Sequence, residues 1–274
     1  MRYEAFAGSF YPSDRNELEL FIEKALKEAE IKENLENAVS FVAPHAGYIY
    51  SGKVAAYTYK AIGLMLKSRK IDTFIVIGPN HTGYGAPIAV SFQDWHMPFG
   101  VVKTDKELAE EIAKGSDYIS LDEMAHAEEH SIEVQLPFLQ KVAKDPKCVF
   151  ICMGDQSIEA SEELANAIEN ASKRANKEIA IIASSDFNHY ESAEVAKKKD
   201  MPAIEALLKL DYVGFNKRIK ELGDTACGYG PISVATIFAK MKGAKKGYLL
   251  KYANSGDVNK DYSSVVAYAS LFFA

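Results

Sequence analysis

Three of the six histidines in this sequence stand shortly after apolar runs that are typical of β-strands. They are His45 after residues 39–43, His81 after residues 73–77 and His189 after residues 178–183. The carboxyl ends of parallel strands meet at one edge of a sheet, and ligands of open α/β sheets bind there. Imidazole is the usual protein ligand of Zn, Cu, Fe and Ni. The spacing therefore predicts that the three histidines share a site and that a metal ion binds in it.

A cysteine and an aspartate extend this candidate site. Cys227 precedes a helix that is predicted to begin at Pro231, and a helix N-terminus favours the thiolate form that binds metals. The alternative, a small apolar residue packed under a loop, stays open. Asp186 forms an Asp-x-x-His pair with His189. A carboxylate at this position suits the orientation of a histidine or a water molecule, and His189 suits acid–base chemistry near neutral pH.

The segment 128–137 is rich in polar groups for the start of a helix that is predicted over residues 130–144. His130 and Glu133 are three residues apart and therefore lie on the same side of that helix. Helix capping is the favoured interpretation of this segment, since acidic groups suit a first turn, and a pocket wall is the alternative. His126, just before it, is predicted to be exposed.

A serine hydrolase is the competing catalytic hypothesis, because Ser185 stands close to Asp186 and His189 in the sequence. Two observations disfavour it. No Gly-x-Ser-x-Gly elbow occurs anywhere in the chain. Residues that are neighbours in sequence also rarely form a catalytic triad.

Strand and helix patterns alternate along the whole chain. Continuous apolar runs such as residues 73–77 are typical of strands buried on both faces of a parallel sheet. The alternation predicts an α/β fold, with a mainly parallel central sheet flanked by helices and a single domain over residues 1–274. The last two strands, near 247–252 and 262–272, are predicted to pair as a hairpin at the edge of the sheet.

Composition disfavours several classes of protein. The net charge of −6 argues against a general nucleic-acid-binding role, which requires a basic face. No segment has the roughly 18 consecutive apolar residues of a membrane span, and the N-terminus has no signal-peptide core. Three cysteines do not make a disulfide framework, and Cys148 and Cys152 are predicted to be core residues of one strand. We therefore expect a cytoplasmic protein that binds neither nucleic acid nor membrane.

Six stretches of the sequence together resemble the MEMO family, named for a human mediator of ErbB-driven cell motility. They are FAGSFY (6–11), APHAGYIY (43–50), GPNH (78–81), EHSIEVQLP (129–137), SSDFNH (184–189) and CG (227–228). They come in the order found in the family and extend over nearly the whole chain. The resemblance implies a fold like that of class III extradiol dioxygenases, which are non-haem iron enzymes that open catechol rings with O₂.

The resemblance also implies roles for the candidate residues. By position, His45 and His81 match the two metal-binding histidines of that fold. His189 resembles its catalytic base, with Asp186 beside it. Cys227 stands where the dioxygenases have a glutamate ligand, so this chain departs from their pattern at that position.

Substrate contacts are implied for a second group of residues. The resemblance implies that Tyr50, Phe10 and Tyr11 line the pocket. His130 and Glu133 are candidates for its wall. Phe10 stands where animal relatives have a tryptophan, which weakens any peptide-binding hypothesis that depends on that ring.

The donor set bears on the metal and on the reaction. Two histidines and a carboxylate suit Fe(II), whereas a thiolate in place of the carboxylate shifts the preference towards copper or zinc. We expect one divalent or redox-active transition metal (Fe, Cu or Zn) and a metal-assisted, O₂-dependent oxidation of a small molecule.

Two alternatives stay open at this level. One is a non-catalytic module that binds a peptide or protein through a vestigial dioxygenase pocket, as the animal relatives suggest. The other is membership of a modification pathway, because the resemblance implies an AMMECR-like protein and a radical-SAM protein as partners. Self-association into a homo-oligomer is compatible with either.

Overall fold

One mixed sheet of eleven strands forms the centre of the protein, and the computed structural model describes residues 1–274. The strands are β1 (Ser40–Ala43), β2 (Thr73–Pro79), β3 (Ile88–Val90), β4 (Trp95–Met97), β5 (Gly100–Thr104), β6 (Ile119–Leu121), β7 (Lys147–Met153), β8 (Ile179–Ser184), β9 (His189–Glu191), β10 (Gly247–Asn254) and β11 (Val265–Phe273). The order in the sheet is β10-β11-β1-β8-β2-β7-β3-β6. β5 also pairs with β4 and β7, and β9 pairs with β11.

The four central strands, β1, β8, β2 and β7, are parallel to one another. β2 and β8 are buried along their whole length, as strands covered on both faces are. In β8, Ile181 and Ile182 point into the two opposite halves of the core, because successive side chains of a strand alternate between faces. The carboxyl ends of these strands open onto one edge of the sheet, and that edge positions the residues discussed below.

Helices cover both faces of the sheet. They are α1 (Arg15–Glu28), α2 (Tyr48–Met65), α3 (Lys106–Ala113), α4 (His130–Glu133), α5 (Leu136–Val142), α6 (Ile158–Ala175), α7 (Ala193–Leu208), α8 (Tyr212–Leu222), α9 (Tyr229–Met241) and α10 (Gly256–Asn259), with a 3₁₀ turn at Met124–His126. The helices α1, α2, α4 and α5 pack on one face, and α3, α6, α7, α8 and α9 pack on the other. None of these helices combines the length and the apolar character that crossing a bilayer requires.

The predicted α/β fold class is confirmed, with a large central sheet flanked by helices. The predicted hairpin edge is also present, since β10 and β11 pair in antiparallel register. Antiparallel pairs flank the parallel centre, since β11 runs antiparallel to β1 and β3 runs antiparallel to β7, whereas β6 at the edge is again parallel to β3. Parallel neighbours need a long crossover, and a short connection such as the one between β4 and β5 produces antiparallel pairing instead.

Two local predictions are wrong. The helix expected over residues 130–144 is two helices, α4 and α5; Pro137 lies in the first turn of α5 and has no N–H to bond back into a continuous helix. His126 is fully buried rather than exposed, and its Nε2 lies 3.2 Å from the carbonyl oxygen of Ala89.

Candidate metal centre

Three loops at the carboxyl edge of the sheet bring the candidate ligands together. His45 lies two residues beyond the end of β1, and His81 lies two residues beyond the end of β2. These strands flank β8 on either side, so the two loops face each other across its end. Cys227 comes from the connection between α8 and α9, directly before the N-cap residue Gly228. Helix α9 therefore begins at Tyr229, two residues earlier than the sequence predicted.

The donor atoms of His45, His81 and Cys227 all lie within 4.8 Å of one another. The Nε2 atom of His45 is 3.1 Å from Sγ of Cys227, and the ring centroids of His45 and His81 are 5.2 Å apart. Metal–nitrogen bonds of about 2.0 Å and metal–sulfur bonds of about 2.3 Å place ligand atoms roughly 3–4 Å apart. The three side chains therefore fit one metal ion with only small adjustments.

Hydrogen bonding determines which nitrogen of His45 is free. Ser184 Oγ donates to the carbonyl oxygen of Ser131 at 2.7 Å and accepts from Gln135 Nε2 at 2.7 Å. The hydroxyl has no second proton to give, so the 2.8 Å contact with His45 requires Nδ1–H of the imidazole as the donor. The orientation of Gln135 is fixed in turn by Tyr59, whose hydroxyl donates to Oε1 at 2.7 Å. His45 therefore presents an unprotonated Nε2 towards Cys227.

Glu129 performs the same task for His81. Its carboxylate accepts the ring Nδ1–H of His81 at 2.9 Å, the backbone N–H of His81 at 2.6 Å and the backbone N–H of Ser131 at 2.8 Å. Burial opposes ionisation of Glu129, but its hydrogen bonds with His81 and Ser131 outweigh burial and lower the pKa to about 2. This carboxylate–histidine pairing is the usual support of a metal-binding imidazole, and it leaves Nε2 of His81 free.

Sequence reasoning did not assign Glu129 to the site. It recognised this residue only as a helix cap, which Glu129 also is, since it is the N-cap of α4. Glu129 and His81 are 48 residues apart in the chain, and nothing in the spacing of the sequence connects them. Ser184 and Gln135 were missed for the same reason.

Asp186 ties two of the ligand loops together. Its Oδ1 accepts the backbone N–H groups of His45 at 2.9 Å and Ala46 at 3.3 Å, while its own N–H points at Sγ of Cys227 at 3.3 Å. Burial raises the pKa of Asp186 to about 7, although the two backbone hydrogen bonds oppose this. Its carboxylate thus contacts backbone groups of the β1 loop.

The Cys227 side chain is partly buried. Burial, followed by the carboxylate of Asp186, raises the pKa of this thiol, and the two outweigh the hydrogen bonds from the Asp186 N–H and from Ser185, which favour a thiolate. A bound cation reverses that balance, because metal ions displace the proton of a coordinating thiol. The side chain is therefore a neutral thiol without a metal and a thiolate ligand with one.

His189 lies beside the same edge, in the short strand β9. Its backbone N–H donates to Oγ1 of Thr225 at 2.7 Å, and its Nδ1 lies 3.0 Å from the carbonyl oxygen of Thr225. A carbonyl can only accept, so Nδ1 carries the proton and Nε2 has a free lone pair. Burial lowers the pKa of His189. The side chain is thus a neutral imidazole with one basic nitrogen available.

His130 forms the opposite wall of the cluster. Its ring stacks on that of His81, with centroids 4.5 Å apart, and meets the ring of His45 edge-on at 5.2 Å. Phe10 packs against its other side, at 4.5 Å. Burial lowers the pKa of His130 to about 4, so this imidazole is uncharged at neutral pH.

Tyr11 and Glu133 lie behind this wall and anchor the N-terminal segment. The Tyr11 hydroxyl donates to Oε1 of Glu133 at 2.6 Å, and the backbone N–H of Phe6 donates to the same oxygen at 2.9 Å. Oε2 of Glu133 accepts from Arg2 at 2.7 Å and from the backbone of Ala5 at 3.0 Å. Both carboxylate oxygens are therefore occupied by protein donors.

Tyr50 lies in the first turn of α2 and is 39 % exposed. It lines a groove of about 580 Å³ between α2 and β10, together with Tyr57 and Tyr252.

Ser185, the nucleophile of the hydrolase hypothesis, is fully buried. Its hydroxyl donates to the carbonyl oxygen of Asp186 at 2.7 Å and accepts from the N–H of Gly228 at 2.8 Å. Both hydrogen bonds join the Ser185 hydroxyl to backbone groups, so it is not available as a nucleophile, which argues against the hydrolase hypothesis.

The fold and the site define an α/β protein whose sheet edge holds two imidazoles and one thiol at ligand spacing. Residues 2–272 match the family described as Memo-like protein, and the chain belongs to this family. The chain is 43 % identical over 272 residues to a MEMO1 family protein of Methanosarcina barkeri, covering 99 % of each chain. It is 44 % identical to one of Saccharolobus islandicus, covering 99 % of each, and 40 % identical to one of Methanocaldococcus jannaschii, covering 98 % of each.

A solved structure shares the fold. The chain resembles an uncharacterized protein from Escherichia coli K12, with a TM-score of 0.52 and 13 % sequence identity. The match covers 85 % of this chain and 99 % of the other. The family resemblance inferred from the sequence motifs is thus confirmed, and the structural likeness supports the fold alone.

Proposed function

We propose that this protein binds one transition-metal ion through His45, His81 and Cys227 and uses it to oxidise a small molecule. One observation carries the proposal: acceptors in two separate hydrogen-bond networks bind the Nδ1–H groups of His45 and His81 and leave both Nε2 lone pairs free beside the thiol. A core histidine needs no such arrangement, whereas a metal-binding histidine does.

The donor set favours copper for this role. A thiolate is a soft ligand that selects copper or zinc over iron, and zinc has no redox chemistry of its own. A copper ion held by these three residues would supply one-electron redox chemistry and would polarise a small molecule or O₂ bound beside it.

The surrounding residues prepare the site for that chemistry. His130 and His189 are both neutral at physiological pH, so they do not repel a cation. Nε2 of His189 accepts a proton from a hydroxyl of the bound molecule, while its Nδ1–H stays bonded to Thr225. Phe10 covers His130 and limits the access of water from that side.

Metal binding is tested first. The protein is depleted with a chelator and reconstituted anaerobically with Cu(I), Zn(II) or Fe(II), and bound metal is measured by elemental analysis. We expect one copper per chain, lost in His45→Ala, His81→Ala and Cys227→Ala. Cys148→Ala in the core and His96→Ala at the surface are matched controls that keep the metal. Unchanged metal content in all three ligand variants would contradict the proposal.

Turnover is tested next, by O₂ consumption with catechols and other small phenols. We expect His189→Ala to keep its metal and lose turnover, because the substitution removes a base rather than a ligand. Turnover by the wild-type protein that persists in Cys227→Ala would assign the reaction to another site.

One observation favours the alternative of a partner-binding module. Exposed aromatic side chains follow each strand-end histidine: Tyr50 is 39 %, Tyr84 62 % and Tyr190 78 % exposed. Tyrosines of this kind are enriched at protein–protein interfaces. We propose an AMMECR-like protein and a radical-SAM protein as the partners to test by copurification. Retention of either partner by a protein without turnover, and its loss in Tyr190→Ala, would support this second function.

A further inference from the structure

Two buried carboxyl groups lie behind the candidate site, in the gap between α7 and the loop that carries Cys227. Asp200 belongs to α7 and is 0 % exposed, and Asp224 follows the C-cap of α8 and is 7 % exposed. Backbone hydrogen bonds bring the two residues together: the N–H of Asn188 bonds to Asp200 at 3.1 Å, and the N–H of the next residue, His189, bonds to Thr225, which directly follows Asp224. Each carboxyl group also affects the pKa of the other. Neither is paired with a basic side chain, because Lys199, the cation nearby, bonds to Glu191 at 2.8 Å and to the carbonyl oxygen of Gly223 at 3.1 Å.

Each carboxyl group holds a different segment of the site. Oδ1 of Asp200 accepts the backbone N–H of Asn188 at 3.1 Å, directly before His189. Oδ1 of Asp224 accepts the backbone N–H of Ala226 at 3.0 Å, directly before Cys227. The contact between the two carboxyl groups therefore joins the segment that carries the proposed base to the segment that carries the proposed thiol ligand.

The hydrogen bonds of the two Oδ2 atoms indicate that a proton is needed between the two carboxyl groups. Oδ2 of Asp200 accepts the hydroxyl of Tyr252 at 2.6 Å, whereas Oδ2 of Asp224 is buried without any partner. Two ionised carboxylates in contact and out of water repel each other strongly, and a single proton between them removes the repulsion and satisfies the unpaired oxygen.

We propose that Asp200 and Asp224 share one proton and act as positioning residues that clamp the loop 224–227 against the segment 188–189. The shared proton follows from the pair alone. Its consequence for metal binding rests on the function proposed above. Neither residue touches the ligands themselves, so the clamp acts through the backbone positions of His189 and Cys227.

The titration of the pair has a definite direction. Burial, followed by the charge of Asp224, raises the pKa of Asp200 to about 8, and burial raises the pKa of Asp224. The groups that face the pair are Lys199, which favours ionisation of Asp224, and Tyr252, with Asp257 beyond it. A carboxyl group with a folded-state pKa above its unfolded value stabilises the protein at low pH and loses this stabilisation as the pH rises towards the folded value. The clamp is therefore closed below about pH 8 and repulsive above it.

Asp224→Asn tests the shared proton. Asparagine keeps Oδ1 for Ala226 and replaces the shared proton by a permanent N–H donor, which does not titrate. In metal-free protein, we expect the melting temperature of the wild type to fall by several degrees between pH 6 and pH 9, and that of Asp224→Asn to fall markedly less. Asp257→Asn, an exposed acid beside the same cluster, keeps the pH dependence of the wild type. A variant that retains the full wild-type pH dependence would overturn the inference.

Infrared spectroscopy gives a second measurement that needs no stable variant. We expect the wild type at pH 7 to show the C=O stretch of a buried carboxylic acid, and that band to disappear on titration through about pH 8. Absence of any carboxylic acid band at pH 7 that belongs to this pair, judged against Asp224→Asn and Asp200→Asn, would also overturn the inference.

The positioning role is measured by copper affinity at pH 7. We expect Asp224→Leu to weaken binding at least tenfold, and Asp224→Asn to restore most of that loss because it keeps the clamp closed. Equal losses in both variants would show that the pair does not act through its shared hydrogen bond. If the wild type binds no metal, the proposed function fails, whereas the melting and infrared measurements still decide the shared proton.

Discussion

The Nε2 atom of His45 lies 3.1 Å from Sγ of Cys227, although 182 residues separate the two in the chain. The parallel centre of the sheet brings the two residues together. β1 and β8 end side by side, His45 follows β1, and the loop before α9 places Cys227 beside these strand ends. Ser184, the last residue of β8, accepts the Nδ1–H on one side of the His45 ring, and Cys227 faces the other side. The arrangement of the strand ends in the sheet therefore determines the distance between His45 and Cys227.

The support of His81 by Glu129 can be tested apart from the ligands. In Glu129→Gln the charge is lost and the amide can offer its NH₂ group to Nδ1 of His81, which favours the wrong tautomer. We expect metal affinity to fall by about 10- to 100-fold, as losses of such supporting groups do. Titration with a metal indicator measures this. Glu128→Gln, the exposed neighbour, is the control and should keep wild-type affinity.

Close approach at Gly228 is needed to place Cys227. A Cβ atom at this position would lie 2.7 Å from Cβ of Ser185 and overlap the carbonyl oxygen of Ser184. We expect Gly228→Ala to lower the free energy of unfolding by about 1–3 kcal/mol, as overpacking does, and to weaken metal binding. Gly154→Ala is the matched control, since its nearest atom would be at an ordinary 3.5 Å. Chemical denaturation and metal titration of both variants check this, and equal behaviour of the two would contradict it.

The buried pair of Arg2 and Glu133 is predicted to serve stability rather than ligand binding. Their side chains are 2.7 Å apart and almost fully enclosed. Glu133→Gln leaves the Arg2 charge without a partner, and breaking a buried pair in this way costs about 3–5 kcal/mol. Urea unfolding measures the loss. Glu221→Gln, which breaks an exposed pair with Lys217 on α8, should change little. A Glu133 variant of normal stability with impaired substrate binding would instead make Glu133 part of the pocket.

Acid should destabilise the metal-free protein partly through His126. Burial lowers the pKa of this residue to about 4, against 6.5 for an exposed histidine. A base with a lowered folded-state pKa stabilises the protein above the unfolded value, and the stabilisation is lost as the pH falls from about 6.5 to about 4. Each pKa unit corresponds to about 1.4 kcal/mol, so His126 contributes up to about 3 kcal/mol of this loss.

His126→Gln should show a smaller loss of stability over this pH range, because glutamine does not titrate. Its side-chain amide can still donate to the carbonyl oxygen of Ala89, which His126 contacts at 3.2 Å. Identical slopes in wild type and His126→Gln would show that His126 is protonated without unfolding.

The sequence by itself determined the class of fold and the residues of the candidate metal centre. Strand periodicity is local, so continuous apolar runs such as β2 and β8 identify buried parallel strands without any knowledge of their neighbours. Histidines placed directly after such strands are then expected at one edge of the sheet. His45 and His81 lie together where this argument put them, with Cys227 beside them, and the family membership that the motifs indicated is confirmed.

Only the tertiary structure decided how these residues are supported. Glu129 on His81, Gln135 on Ser184 and Asp200 on Asp224 are contacts between segments 48, 49 and 24 residues apart, respectively. Such contacts depend on the order of strands in the sheet and on where each connecting helix returns, and neither property has a local signature. Burial, which lowers the pKa of His126 and raises that of Asp200, follows from the packing of the whole chain and has no signature in the spacing of any motif.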